Sequence, residues 1–258
     1  MSRKHNSGRN PPIDSSPKIP QRDKLKGQFL IKELNWTDKQ KEFINIATDK
    51  TTNLMFVSGP AGSSKTVIST FCALTLLNHH RVSDVLYVRA AVESADSKLG
   101  FLPGSLDEKI SYYGIPFSDK LEELLEKNTI ESLYKEDRLK ILPVNYLRGV
   151  SWNAKYILVD EAQNLTQKEL ITILTRIGKF SKCIVMADPE QSDINGKAGG
   201  FNIMYNLFKD EESKAKGIYT FEFEEKDIMR SELTRYLVHK FKTLNPTSLK
   251  PASNLSKG

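Results

Sequence analysis

The sequence predicts an α/β protein built on a mostly parallel sheet, with helices on both faces and one helical insertion. Three observations carry this. Short continuous apolar runs alternate with amphipathic helical stretches along the 258 residues. One run, Leu54–Val57, opens directly into the octet Gly59-Pro60-Ala61-Gly62-Ser63-Ser64-Lys65-Thr66 and is followed by an amphipathic stretch. Another, Tyr156–Val159, ends in the adjacent carboxylates Asp160 and Glu161. Strands buried on both faces read as continuous apolar runs of this kind.

Taken in order, the first helix opens at Trp36-Thr37, with Thr37 as N-cap and Phe43, Ile44 and Ala47 on its apolar face. Gln40 precedes the strand near 53–58, where an amide can read the edge of an adenine base; an exposed helical glutamine is the plain alternative. A helix follows over 65–78, then a strand at Val85–Val88 ending at Arg89. Residues 93–135 show no strand pattern. About 40 residues exceed any ordinary loop, so this stretch, roughly 93–137, is expected to be a helical insertion. The sheet resumes at Leu139–Val144, which leads to Arg148-Gly149. After the carboxylate strand come a helix at 167–177, a strand at Lys182–Ala187, a helix at 201–208, a strand at 218–223 and a last helix at 226–242 that holds Arg230. Ligands of such a sheet bind beyond the carboxyl ends of its strands.

The octet has the layout of a phosphate cradle. Backbone N–H groups and a helix N-terminus face the anion, Lys65 neutralises it, and the Thr66 hydroxyl reaches Mg²⁺. All eight residues, Gly59, Pro60, Ala61, Gly62, Ser63, Ser64, Lys65 and Thr66, are therefore candidate nucleotide contacts. The strict pattern has glycine where this chain has Ser64. Ionised carboxylates are costly to bury unpaired, so the Asp160-Glu161 pair at a strand end asks for a task. In a phosphate-loop ATPase the aspartate holds Mg²⁺ and the glutamate polarises the attacking water. Beyond the strand at 182–187 lies Asp188-Pro189-Glu190-Gln191, a turn signal. Gln191 can donate and accept together, which suits a sensor of the γ-phosphate; a solvated turn is the alternative.

Composition narrows the class. The net charge is +6, but residues 1–26 carry seven cations against two carboxylates and residues 245–258 carry two cations more, which leaves the body at about −1. The basic character belongs to the ends. Residues 1–30 and 245–258 are expected to be disordered tails flanking a domain at 31–244. Loose contact between the basic tail and phosphates, or solubility alone, explains it equally well. No apolar stretch approaches the roughly 20 residues that span a bilayer, and no membrane partner is expected. Cys72 and Cys183 fall in core elements and suit a reducing, cytoplasmic setting. His79-His80 has no Cys or acidic neighbour, so zinc is not expected.

The stretches that discriminate best are Ala91-Val92-Glu93, Lys98 to Gly104, Tyr146 to Gly149, Asp160 to Asn164, Leu174 to Gly178, and Phe223 with Asp227 and Arg230. With the octet they make the chain resemble, over about 34–242, the PhoH family of ATPases, allied to the motor domain of superfamily 1 helicases. The resemblance implies a RecA-like phosphate-loop NTPase that binds ATP and Mg²⁺ and acts on RNA or single-stranded nucleic acid. It implies Lys65 and Thr66 as the phosphate-loop pair, Thr66 and Asp160 on the metal, Glu161 on the water, Gln191 at the γ-phosphate and, more loosely, Gln40 at the adenine. The chain departs from the family with Ala187 before Asp188, where glycine is usual, with Ala90 where proline is common, and with Ser64.

Phosphoryl transfer is accelerated by an arginine brought to the developing charge. A superfamily 1 helicase takes it from a second RecA-like domain, for which this sequence has no room. The expectation is a homo-oligomeric ring, with a hexamer as its form, in which Arg176 or Arg230 completes the neighbouring site and Arg89 and Arg148 stand behind them. ATP-dependent remodelling of RNA or single strands is the leading reading. A nucleotide-gated binding or recruitment module without motor activity is the second, and stimulation of hydrolysis by single strands separates the two. A small-molecule kinase is the third, less suited to a glutamate-activated water.

Overall fold

The computed structural model describes residues 25, 27–89, 106–144, 151–189, 199–227, 233, 236 and 240. Along the chain they form α1 (Asp38–Thr48), β1 (Leu54–Ser58), α2 (Lys65–Asn78), β2 (Asp84–Arg89), α3 (Leu106–Leu124), α4 (Lys127–Lys135), β3 (Leu139–Pro143), β4 (Lys155–Asp160), α5 (Gln167–Leu174), β5 (Lys182–Ala187), α6 (Gly200–Leu207), α7 (Glu211–Ala215) and β6 (Ile218–Glu222). The strands make one sheet in the order β3-β2-β4-β5-β1-β6. Every pairing in it is parallel. All carboxyl ends therefore share one edge, and β5 alone separates β1 from β4.

Strand alternation splits the core in two. Met55, Val57, Tyr87, Tyr156, Leu158, Ile184 and Met186 face one layer, where α1, α2, α3 and α4 contribute Phe43, Ile68, Leu74, Phe117, Leu121 and Leu133. Phe56, Val88, Ile157, Val159, Cys183 and Val185 face the other, against Leu170 and Ile173 of α5 and Phe201 and Met204 of α6. Both faces are covered, which is why the strands carry so few polar residues. Two helix starts are locally encoded. Thr37 and Gln40 close a reciprocal capping box on α1, and Thr166 and Glu169 close one on α5.

The structure revises several boundaries. The expected insertion is part of the architecture: α3 and α4 form the crossover between the parallel neighbours β2 and β3, and Phe117, Leu121 and Leu124 are fully buried against the sheet. The helix expected to reach Ile177 ends at Leu174. Trp152 captures the chain there, donating its N–H to Arg176 O (2.8 Å) and accepting from Gly178 N (2.7 Å), and Ile177 bridges Trp152 as an isolated parallel pair. Residues 25 and 29, inside the stretch expected as a tail, and Ile31 beside it contact the body. Phe29 exchanges two hydrogen bonds with the Asn78 side chain (3.0 and 2.9 Å), and Leu25 and Ile31 pack on the core. Residues 1–24, 245–258, 90–105 and 145–150 lie outside the described residues, as does most of the expected last helix. Glu225–Asp227, at its start, is a 3-10 turn.

Candidate functional site

The cradle is built at the end of β1. Gly59 N donates to Ala187 O of β5 (3.2 Å), and Ser63 N and Oγ both donate to Pro60 O (3.2 and 2.8 Å), closing the loop over itself. A Cβ on Gly59 would stand 2.8 Å from Phe223 Cβ, so glycine is required by close approach to the end of β6. Gly62 turns the chain with φ +87°, and Ser64 adopts φ 65°, ψ 17°, the left-handed region. The α2 helix then starts at Lys65, with the positive end of its dipole and its unpaired N–H groups toward the loop. Lys65 Nζ donates to Gly59 O (2.7 Å) and Pro60 O (3.0 Å), which holds the lysine across the loop.

The carboxylates come to the same place because β4 is one strand removed from β1. Asp160 is buried. Its Oδ2 accepts from Thr66 Oγ1 (3.3 Å) and Tyr87 OH (2.7 Å), and its Oδ1 accepts from Glu161 N (3.1 Å). Burial, and next the Asp160 charge, push the Tyr87 phenol far above its ordinary range, so it remains a donor. Glu161 is itself left-handed, φ 54°. Its Oε2 accepts from Gln163 Nε2 (2.5 Å), and its Oε1 lies 3.7 Å from Arg89 Nη2. Gln163 Oε1 in turn accepts from Asp188 N (3.1 Å), tying the carboxylate loop to the turn after β5.

These groups surround one cleft of about 350 Å³, lined by Ala61, Gly62, the stretch 64–67, Asp160, Glu161, Gln163, the stretch 186–188 and, from α3, Lys120 and Glu123. The structure thus brings together the cradle lysine and threonine and both carboxylates. Gln40 is placed elsewhere: it is buried, its Oε1 accepts Thr37 N (2.9 Å) in the capping box, and it does not line the cleft. Its carbonyl oxygen serves the start of α1, so it is not the exposed helical glutamine of the plain alternative, and its reading of an adenine edge stands as a proposal. Arg176 sits beside Trp152, before β4 begins, and so at the opposite end of the strand from Asp160, roughly 20 Å away. It cannot serve its own site. Gln191, Arg148 and Arg230 lie outside the described residues.

Sequence reasoning missed Tyr87, Gln163, Lys120 and Glu123. A phenol inside an apolar strand and an amide two residues after the acidic pair were visible signals for the first two. The α3 pair enters through tertiary packing and had none.

Thr66 Oγ1 and Asp160 Oδ2 form the hard oxygen pair that Mg²⁺ prefers, and they fit that ion. When bound, Mg²⁺ would supply positive charge against phosphate oxygens. No cluster of three or more His, Cys, Asp or Glu suited to a metal exists among the described residues, and Mg²⁺ held by Thr66 and Asp160 together with a bound nucleotide would need none. Among those residues no helix is long and apolar enough to cross a membrane.

The family model described as PhoH-like protein matches residues 34–242. The chain belongs to the PhoH family. PhoH-like proteins of Synechocystis sp. and Bacillus subtilis are 31% and 32% identical to it over 221 and 207 residues, covering 84% and 80% of this chain and 65% and 63% of those proteins. Protein PhoH of Escherichia coli is 33% identical over 191 residues, 73% of this chain and 52% of that one. This PhoH-family chain therefore spans between half and two thirds of the length of these relatives. A Sulfolobus solfataricus SWI2/SNF2 ATPase core in complex with dsDNA overlays at TM-score 0.41 with 12% identity, over 78% of this chain and 47% of that one, a likeness too weak to carry a functional inference. Family, sheet and cradle together make this a nucleotide-binding protein with an NTPase-type site.

Proposed function

We propose that this PhoH-family chain is a Mg²⁺-dependent ATPase, cytoplasmic and ring-forming, that couples hydrolysis to remodelling of RNA or single-stranded nucleic acid. The observation that carries the reading is the contact between Thr66 Oγ1 and Asp160 Oδ2, which joins the phosphate cradle to the carboxylate strand inside one cleft. Glu161 follows Asp160 and lines the same cleft. It would accept a proton from water as the water oxygen attacks the terminal phosphorus and ADP leaves with the bond electrons. Lys65 and the α2 N-terminus would hold the phosphates. Arg89 and Gln163, both within reach of Glu161, would orient its carboxylate until the substrate arrives. Gln191, three positions beyond Asp188 in the sequence, remains the proposed γ-phosphate sensor.

Steady-state ATP hydrolysis, with and without RNA and single-stranded DNA, tests this in native protein and in Glu161→Gln. The variant is expected to keep ATP binding and lose about 10² to 10⁴ of turnover. Unchanged turnover removes Glu161 as the base. Hydrolysis that no polynucleotide stimulates moves the protein to the nucleotide-gated recruitment reading.

A further inference from the structure

The α3 helix covers the cleft with more than apolar side chains. Phe117 is fully buried and stacks on Tyr87, with ring centroids 4.7 Å apart and planes at 9°. Tyr87 OH donates to Asp160 Oδ2. One turn further along, Lys120 lines the same cleft as the cradle, together with Glu123, to which its Nζ donates in an i,i+3 pair. Lys120 is thus mounted on a helix whose position is fixed, through Phe117 and Tyr87, to the carboxylate that marks the terminal-phosphate end of the site.

Charge gives this placement a consequence. Glu123, Asp160, Glu161 and Asp188 all line the cleft, and Lys65 and Lys120 are the cations in its lining, with Arg89 behind Glu161. A triphosphate entering among four carboxylates needs more than one cation. Lys65 is held low, on the carbonyls of Gly59 and Pro60. Lys120 is about one-third exposed, and its pairing with Glu123 is the exchangeable, solvent-screened kind.

We propose that Lys120 is a second phosphate-binding cation, supplied in cis by the β2–β3 crossover, which leaves Glu123 for the terminal phosphate of a bound nucleoside triphosphate and so separates triphosphate from diphosphate. Glu123 is its parking site and sets the threshold for the exchange. The inference rests on the nucleotide reading of the cleft.

The test is calorimetric titration with adenylyl-imidodiphosphate and with ADP, each with excess Mg²⁺, in native protein, Lys120→Ala, Lys120→Arg and Glu123→Gln. Lys120→Ala is expected to weaken the triphosphate analogue about tenfold or more, the loss of a charge-assisted hydrogen bond, and to change ADP less than about twofold. Lys120→Arg should restore most of the difference, and Glu123→Gln should tighten the analogue selectively. Equal loss for both nucleotides, or none for either, overturns the assignment. If Lys120→Ala does not fold, Glu123→Gln decides alone: an unchanged ratio of the two affinities overturns it. Native protein that binds neither nucleotide overturns the reading of the cleft itself, and this inference with it.

Discussion

Ser64 holds a left-handed backbone at the point where the cradle passes into α2. An L side chain there costs about 1–2 kcal/mol, which glycine avoids. Ser64→Gly should relieve that strain while loosening the unfolded chain by about 0.4–1 kcal/mol, for a net gain of about 0.5–1 kcal/mol. Ser64→Val should lose about 2 kcal/mol or more, since a β-branched side chain tolerates positive φ poorly. Denaturant midpoints should rank Gly above Ser above Val; a Gly variant below native would mean that the serine hydroxyl makes a compensating contact. The departure from the glycine pattern was legible in the sequence, and the backbone angle explains why glycine is usual there. The pairing of Lys65 and Thr66 with Asp160 and Glu161 was legible too, because each pair is fixed by its own strand end. The capping role of Gln40 was signalled by the Thr37-x-x-Gln40 spacing, which the reading of Thr37 alone as N-cap did not use.

Elements repeat the lesson. The strands were readable, β1, β2, β4 and β5 from continuous apolar runs and β6 from its alternation, and the start of α1 was readable from Thr37 as its N-cap. The end of α5 was not, since Trp152, far back in the chain, captures it. The place of α3 against the sheet likewise depends on contacts that periodicity does not contain. One strand start carries a consequence of its own. Lys182 opens β5 nearly buried, and its Nζ donates to the carbonyls of Asp49 and Thr52. Burial, and then the nearby Arg81, push its ammonium down to about 8. The unfolded chain keeps that proton to about 10.4, so between these values it binds more protons than the folded one and stability rises with pH. Below about 8 the penalty is fully present. Cys72 and Cys183, raised by burial, pull the other way once pH passes the ordinary thiol range. The comparison with Lys182→Met isolates the lysine. From pH 7.5 to 9.5 native protein should gain about 1 kcal/mol relative to the variant, after allowance for partial solvent screening. Parallel pH profiles from guanidinium unfolding would remove the assignment.

At the scale of the molecule, the site has cations in cis but no described arginine free to meet the charge that develops in hydrolysis. Arg89 is committed to Glu161, and Arg176 lies at the far edge of the sheet, where its Nε is buried without a hydrogen-bond partner. An arginine far from its own cleft is where a subunit would carry one for its neighbour. Exposed Ile171 on α5 and Ile203 and Leu207 on α6 add apolar surface to the layer that bears Arg176. A ring assembled with ATP would use both features, and light scattering with and without nucleotide should register the change in mass. Mixing tests the arginine directly. Glu161→Gln subunits keep Arg176 and lack the base; Arg176→Ala subunits keep the base and lack the arginine. Each alone should be nearly inactive, a trans arginine being worth about 10³ to 10⁵ in turnover. Mixed, the two should recover a measurable fraction, because an intact base then meets an intact arginine across some interfaces. A fully active monomer removes the ring. Mixtures no more active than their parts, from subunits shown to co-assemble, remove Arg176 as the residue that crosses it.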